Sequence, residues 1–286
     1  MSVLTGGLRA LFVSSAIGLA TGPVFAADIL PPPPPVIAPH SMPVAEFSGW
    51  YIRGDVGLGQ NRQEKFRSTF DTGFNVPGLQ YDQASVSSHL MMGVGIGYQF
   101  NNWFRADATV EYNGGARWKQ LESYTDPVCG NAARCVDTYQ GRISSAVFLM
   151  NGYVDLGTWY GLTPYLGVGL GGANNHIGVI RDHGVTQGGY GTSPAVSKTN
   201  FAWAIMAGAS VNIAPNMKLD VGYRYLDKGS ISGGRIACQG PVACGFETHK
   251  FRLASHDVRI GLRYMFGDAG YAPAPVAYQA PLVRKY

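Results

Sequence analysis

Charge is scarce in this chain. Only 14% of its 286 residues are Asp, Glu, Lys or Arg, and the formal net charge is +4. That balance is too mild for a nucleic-acid-binding surface, so no nucleic acid is expected as a partner. Long apolar runs are missing as well. The longest, residues 201–211, contains Gly208 and Ser210 and stops well short of the ~20 residues that a spanning helix needs. Cysteine is limited to four residues, none with a histidine at a familiar ligand spacing, so no metal is expected there. In place of charge stand 39 glycines and 16 tyrosines, a composition foreign to most cytoplasmic enzymes.

The N-terminus reads as an export signal over residues 1–26. Arg9 supplies the positive charge, Ala10–Ala20 the short apolar run, and Val24-Phe25-Ala26 a small-x-small cleavage site. Loss of Arg9 leaves the mature chain one charge lower. Residues 27–45 carry Pro31–Pro35, Pro39 and Pro43, which makes a semi-rigid polyproline linker unable to pack a core. Residues 267–286 form a second Pro/Ala-rich segment.

Between them, residues 46–266 alternate apolar and polar with a period of two, the β signature. Eight strands follow: around Trp50–Leu58, then Leu90–Phe100, Phe104–Tyr112, Ser144–Leu156, Pro164–Ala173, Phe201–Ile213, Met217–Leu226 and His256–Phe266. Long polar connections (61–87, 113–140, 174–199, 228–250) alternate strictly with short ones (Asn101-Asn102, 157–163, 214–216). This rhythm predicts an all-β, eight-stranded antiparallel up-and-down transmembrane β-barrel with long extracellular loops and short periplasmic turns. An even strand count puts both termini in the periplasm.

The faces decide against a soluble barrel. One face is apolar and ends in aromatics: Trp50, Tyr98, Phe100, Tyr112, Phe201, Trp203, Tyr223, Tyr225, Tyr264 and Phe266. Such rings favour the membrane interface. The other face is small or charged. Arg53, Arg105, Arg224, Arg259 and Arg263 meet Asp55, Asp107, Glu111, Asp155, Asp220 and Asp257, a nearly balanced interior charge lattice expected to pair across neighbouring strands. Lys228 falls in a predicted loop, so its loss is expected to matter less than that of Arg259.

The segments SGWYIRGDVGLG, MNGYVDLGTW, TPYLGVGLGG, FAWAIMAGASVNI, LDVGYRYLD and VRIGLRYMF, in that order, resemble the alphaproteobacterial RopB-like, opacity-type small outer-membrane barrels over residues 46–266. The resemblance implies a major surface protein of the cell outer membrane, supporting envelope integrity and host contact, and in some relatives weak porin behaviour. Outer-membrane lipid, lipopolysaccharide and the barrel-assembly machinery are its expected partners, with host or peptidoglycan contacts further options. In such proteins a terminal aromatic ends the chain as the assembly signal. Here Tyr264 and Phe266 would serve, although twenty residues follow them.

Catalysis finds little support. In Ser255-His256-Asp257 adjacent side chains alternate between the faces of a strand, so they make no triad. His89, His176, His183 and His249 lie in predicted loops or at their edges. The glycines of Gly93-x-Gly95-x-Gly97 and Gly169–Gly172 recur at period two with no helix behind them, so they line a barrel rather than cradle a nucleotide. No cofactor is expected. The cysteines fall as Cys129-x5-Cys135 and Cys238-x5-Cys244; in an oxidising compartment pairing within each loop is expected, with cross-loop pairing as the alternative. The functional expectation is a non-catalytic surface protein, with a narrow porin as the alternative and a lipid-A-modifying barrel as the third reading.

Overall fold

The computed structural model describes residues 48–69, 76–130, 134–239 and 246–266. The expected export signal, proline-rich linker and C-terminal segment therefore lie outside the described residues, as does Cys244.

Twelve strands form one antiparallel system: β1 (Gly49–Ser68), β2 (Gln80–Val86), β3 (Ser88–Gln99), β4 (Phe104–Tyr124), β5 (Cys135–Asp155), β6 (Leu162–Ile177), β7 (Arg181–Gly184), β8 (Tyr190–Thr192), β9 (Val196–Ala214), β10 (Met217–Ser232), β11 (Ala237–Gln239) and β12 (His249–Phe266). Eight of them close a ring in the order β1, β3, β4, β5, β6, β9, β10, β12 and back to β1. The closing pair runs from Trp50 opposite Phe266 to Ser68 opposite His249. Strands β2, β7, β8 and β11 extend the sheet only at the end opposite the short turns.

The alternation sets the wall. Val94, Phe201 and Leu58 point outward at 67%, 65% and 64% exposure, whereas the eleven lattice residues face inward at 6% or less. In bulk water such an apolar exterior would be an aggregation liability; in hydrocarbon it is the solvated side. From Trp50 to Leu58 on β1, and from Phe104 to Tyr112 on β4, the apolar stripe is as long as the ~9–11 residues that a tilted strand needs to cross the bilayer. Rings cluster near the turn end, where Trp50 meets Tyr98 at 5.4 Å and Tyr264 meets Phe266 at 5.3 Å. A second set, including Trp203 against Tyr225 at 5.4 Å, marks the other interface.

Two glycines show why that residue recurs. At Gly261 an added Cβ would fall on the Asp55 carboxylate, and at Gly97 on the Tyr51 ring. A barrel this narrow has room for a large side chain only where the facing position is empty.

The long connections differ from the expected loops. The strands run on well past the bilayer: β1 to Ser68, β4 to Tyr124, β5 from Cys135 and β12 from His249. About ten further residues, rising ~3.3 Å each along a wall tilted by ~45°, lift the rim by roughly 20 Å. The reason is an exchange of faces. In the membrane zone the wall is apolar outside and charged inside. Above it Trp118, Tyr139, Ile143, Phe251 and Leu253 point inward, while Arg117, Lys119, Arg142 and Lys250 point outward into water. At the other end Asn212, on the inward phase of β9, is exposed at the rim beside the 214–216 turn.

Candidate functional site

The interior is the part of the molecule with concentrated chemistry, and it is built in tiers. Nearest the short turns, Arg263 of β12 bridges Asp220 of β10 at 3.0 Å, and Ser210 donates to the same carboxylate. Arg105 of β4 bridges Asp155 of β5 at 3.2 Å and lies over the Tyr153 and Tyr165 rings, 4.1 and 4.7 Å from their centroids. In the middle tier Arg53 holds Asp55 at 2.6 Å on its own strand and Asp107 of β4 at 3.0 Å. Tyr51 and Asn151 also donate to Asp107, at 3.0 and 2.8 Å. In the third tier Arg224 of β10 bridges Asp257 of β12 at 2.8 Å and reaches across the lumen to Glu111 of β4 at 2.7 Å.

This network corrects three expectations. Pairing is not confined to neighbouring strands, because Arg53–Asp55 lies within one strand and Arg224–Glu111 spans the lumen. Arg259 is not the main partner of an acid: its approach to Glu111 is 3.9 Å, and its nearer contacts are the Met206 sulfur at 3.0 Å and the Tyr153 hydroxyl at 3.4 Å. Lys228 is not in a loop. It sits on β10, 1% exposed, with Nζ donating to Asn61 at 3.2 Å. It thus supplies the cation that the count of five arginines against six acids had lacked.

Above the tiers the lumen turns apolar. Val86, Ala116, Trp118, Tyr139, Ile143, Ile177, Ile180, Ile231, Ile236, Phe251 and Leu253 form one buried cluster, with Phe66 packed against it. Trp118 stacks on Phe251, centroids 5.7 Å apart and planes 10° from parallel, and its Nε1 donates to Gln63 at 2.6 Å. Beside this plug His249, expected at a loop edge, lies on β12, fully buried. Its Nε2 is 2.7 Å from Glu247 and 3.4 Å from Glu122, and Tyr139 donates to Glu247 at 2.7 Å. Spacing alone does not reveal this group, since Glu122 and Glu247 are 125 positions apart in sequence. The inward phase of the extended strands does.

Outside the bilayer zone, on β7, Asp182 is pushed up to about 7, first by desolvation and then by Asp137 and Glu247. Its folded pKa is therefore above its unfolded one. Its contribution to stability is full below the unfolded value near 4 and is lost as pH rises toward 7. Asp182→Asn is expected to raise unfolding stability at pH 8 by on the order of 2 kcal/mol and to change it little at pH 3, in paired urea titrations.

The remaining sequence candidates are placed as follows. Cys129 and Cys135 are joined by a disulfide across the β4–β5 connection. Cys238 lies on β11, and its expected partner Cys244 is outside the described residues. Tyr264 and Phe266 point outward at the turn end of β12. His256 also faces outward, its Nδ1 bonded to the Tyr223 hydroxyl at 2.5 Å, whereas Ser255 and Asp257 are buried on the opposite face.

Comparison with known proteins agrees with this architecture. The outer membrane protein beta-barrel domain family matches residues 35–268. An uncharacterized protein of Brucella abortus (strain 2308) is 30% identical over 258 residues, covering 81% of this chain and 89% of its own. The outer membrane protein PagN of Salmonella typhimurium is 24% identical, covering 81% and 96%. A Rickettsia felis protein, 26% identical and covering 75% and 87%, carries the word adhesin in its name. Among solved structures, OprG from Pseudomonas aeruginosa is similar, with a TM-score of 0.42 and 14% identity over 77% of this chain and 96% of that one.

Proposed function

The chain belongs to the outer membrane protein beta-barrel domain family, and from that premise we propose that it acts as a sealed surface barrel. It braces the outer membrane and raises a rigid extracellular turret for contact with other surfaces, without catalysing a reaction. The observation that carries this reading is the filling of the lumen. Three tiers of paired charge occupy the bilayer half, and an apolar plug around Trp118 and Phe251 occupies the half above it. An eight-stranded barrel has an interior just wide enough for its own side chains, and here those side chains bind one another.

The interior acids have structural partners rather than a substrate path. Arg224 engages both Glu111 and Asp257, and Arg53 engages both Asp55 and Asp107. The name of the Rickettsia relative supports surface contact as the role of the raised rim. Tyr264 and Phe266, exposed at the periplasmic end of the last strand, are the assembly signal in this reading, with the residues after them as an appendage.

Planar-bilayer recording with the full chain is the test. No reproducible opening is expected, in either polarity. Regular steps of pore size, retained after repurification, would replace this reading by that of a narrow porin. In a cell-binding assay, removal of the β7–β8 hairpin, residues 181–192, is expected to lower adhesion while leaving the barrel's heat-modifiable mobility intact.

A further inference from the structure

Four carboxylates are buried in the raised half of the barrel, where the arginine lattice does not reach. Glu122 of β4, Asp137 of β5, Asp182 of β7 and Glu247, two positions before β12, are each 7% exposed or less. Burial, and then Glu247, Glu122, Asp182 and Asp137, hold the Tyr139 hydroxyl well above its ordinary pKa, so all four acids act on one ring. In the bilayer zone every lattice acid meets an arginine. Among the described residues, no Arg or Lys bridges Asp137, Asp182 or Glu247. Asp182 also keeps a buried oxygen, Oδ1, without a hydrogen-bond partner. Acids crowded in this way ionise together only if a positive charge compensates them.

The donors for such a charge are already gathered around His249. One ligand atom each from Glu122, Glu247 and His249 lie within 4.8 Å of one another. On a tetrahedral ion with bonds of ~2.1 Å, neighbouring donors are ~3.4 Å apart. His249 Nε2 is 3.4 Å from Glu122 and 2.7 Å from Glu247, the second a hydrogen bond. A cation taking the place of the shared proton needs that contact to open by only ~0.7 Å. Tyr139 donates to Glu247 Oε2 at 2.7 Å and Ser68 to Oε1, the kind of support that orients a ligating carboxylate. The donor set selects the ion. Calcium takes roughly six to eight oxygens and magnesium a full octahedron, more than these side chains offer. Two carboxylates, one imidazole and a water suit zinc.

The position gives the ion a task. β1 pairs with β3 only as far as Gln60 opposite Ser88, while β2 pairs with β4 up to Gln80 opposite Ser123. Among the described residues no backbone ladder joins β1 to β2 above Gln60. Side chains cross there instead: Asn61 donates to the Ser87 carbonyl at 3.2 Å, and Tyr81 packs on Phe66. His249 is laddered to Ser68 on one side of this seam, and Glu122 to Tyr81 on the other. We propose that Glu122, Glu247 and His249 form a site for a divalent cation of the zinc class, which staples β4 to β12 across the seam.

The test uses the full chain refolded into phosphatidylcholine vesicles, washed with chelator and titrated with zinc alone. Wild type is expected to bind one zinc per chain, and cobalt(II) in its place to show the intense visible absorption of a four-coordinate site. Zinc is also expected to raise the temperature at which heat-modifiable mobility is lost, since it binds the folded chain. Glu122→Gln is expected to weaken zinc by about a hundredfold, because loss of even a group supporting a ligand costs roughly 10–100-fold. Asp82→Asn, an exposed carboxylate on β2, leaves the affinity unchanged. Glu122→Gln removes one of the crowded acids, so the zinc-free variant is expected to fold, with its mobility as the check. Absence of saturable binding by folded wild type would overturn the assignment. Undiminished affinity in both Glu122→Gln and His249→Gln would also overturn it, and would place the ion elsewhere on the chain.

Discussion

Arg224→Ala is expected to destabilise the barrel by about 3–5 kcal/mol, the range for removing one partner of a buried ion pair. Arg224 is fully buried and holds two acids, Asp257 at 2.8 Å on the adjacent strand and Glu111 at 2.7 Å across the lumen. Without it both carboxylates remain in a water-poor interior, with Arg259 no nearer to Glu111 than 3.9 Å. The control is Arg252→Ala on the outward-facing phase of β12, where a guanidinium about one-third exposed meets Asp227 at 2.6 Å. Because the guanidinium side of this pair reaches water, its loss is expected to cost less, on the order of 1 kcal/mol. Urea unfolding of both variants in the same vesicles provides the comparison. Equal midpoints would mean that the lattice is solvated, and with it the lumen.

Trp118→Ala is expected to cost a further about 3–5 kcal/mol by a different route, the loss of a large packed side chain and the void left behind. Trp118 is 1% exposed, stacks on Phe251 and donates a hydrogen bond to Gln63. The truncation also leaves the Gln63 acceptor without that donor, and rigid strands on all sides limit collapse into the space. The same urea titration measures it. A change under 1 kcal/mol would show that the raised half of the barrel is loosely packed and that the plug is not its core.

The bilayer half of the wall was legible because lipid imposes a simple rule, apolar residues outward at every second position. Val258–Phe266 obeys it without exception, and so do Trp50–Leu58 and Leu90–Phe100. The raised half was not, because above the interface the outside is water and the rule inverts. Lys250-Phe251-Arg252-Leu253 keeps the phase of the strand it begins, with the chemistry of the two faces exchanged. Read for lipid-facing apolar residues, it looks like a loop; read for phase, it is the same strand.

Lys228 was hidden by a second effect. Counted by twos from Arg224, through Leu226, it keeps the inward phase; but the ladder shifts between Asp227 and Ser230, the alternation breaks just beyond the lysine, and the polar run after Leu226 reads as the start of a loop. The Glu122–Glu247–His249 group was hidden by distance, being assembled from two strands on different parts of the ring and the residues before one of them.

The seam between β1 and β12 has a bearing on lifetime. It joins the two ends of the barrel-forming chain, Trp50 to Phe266, so the ring has no closed form that lacks either strand. Opening it would present two rows of backbone N–H and C=O groups to hydrocarbon, each unsatisfied group costing several kcal/mol. A half-open wall is therefore a summit on the reaction path rather than a resting state. How long the protein persists at the surface is governed by that barrier, through the rate of escape over it, more than by the equilibrium difference between folded and unfolded chains.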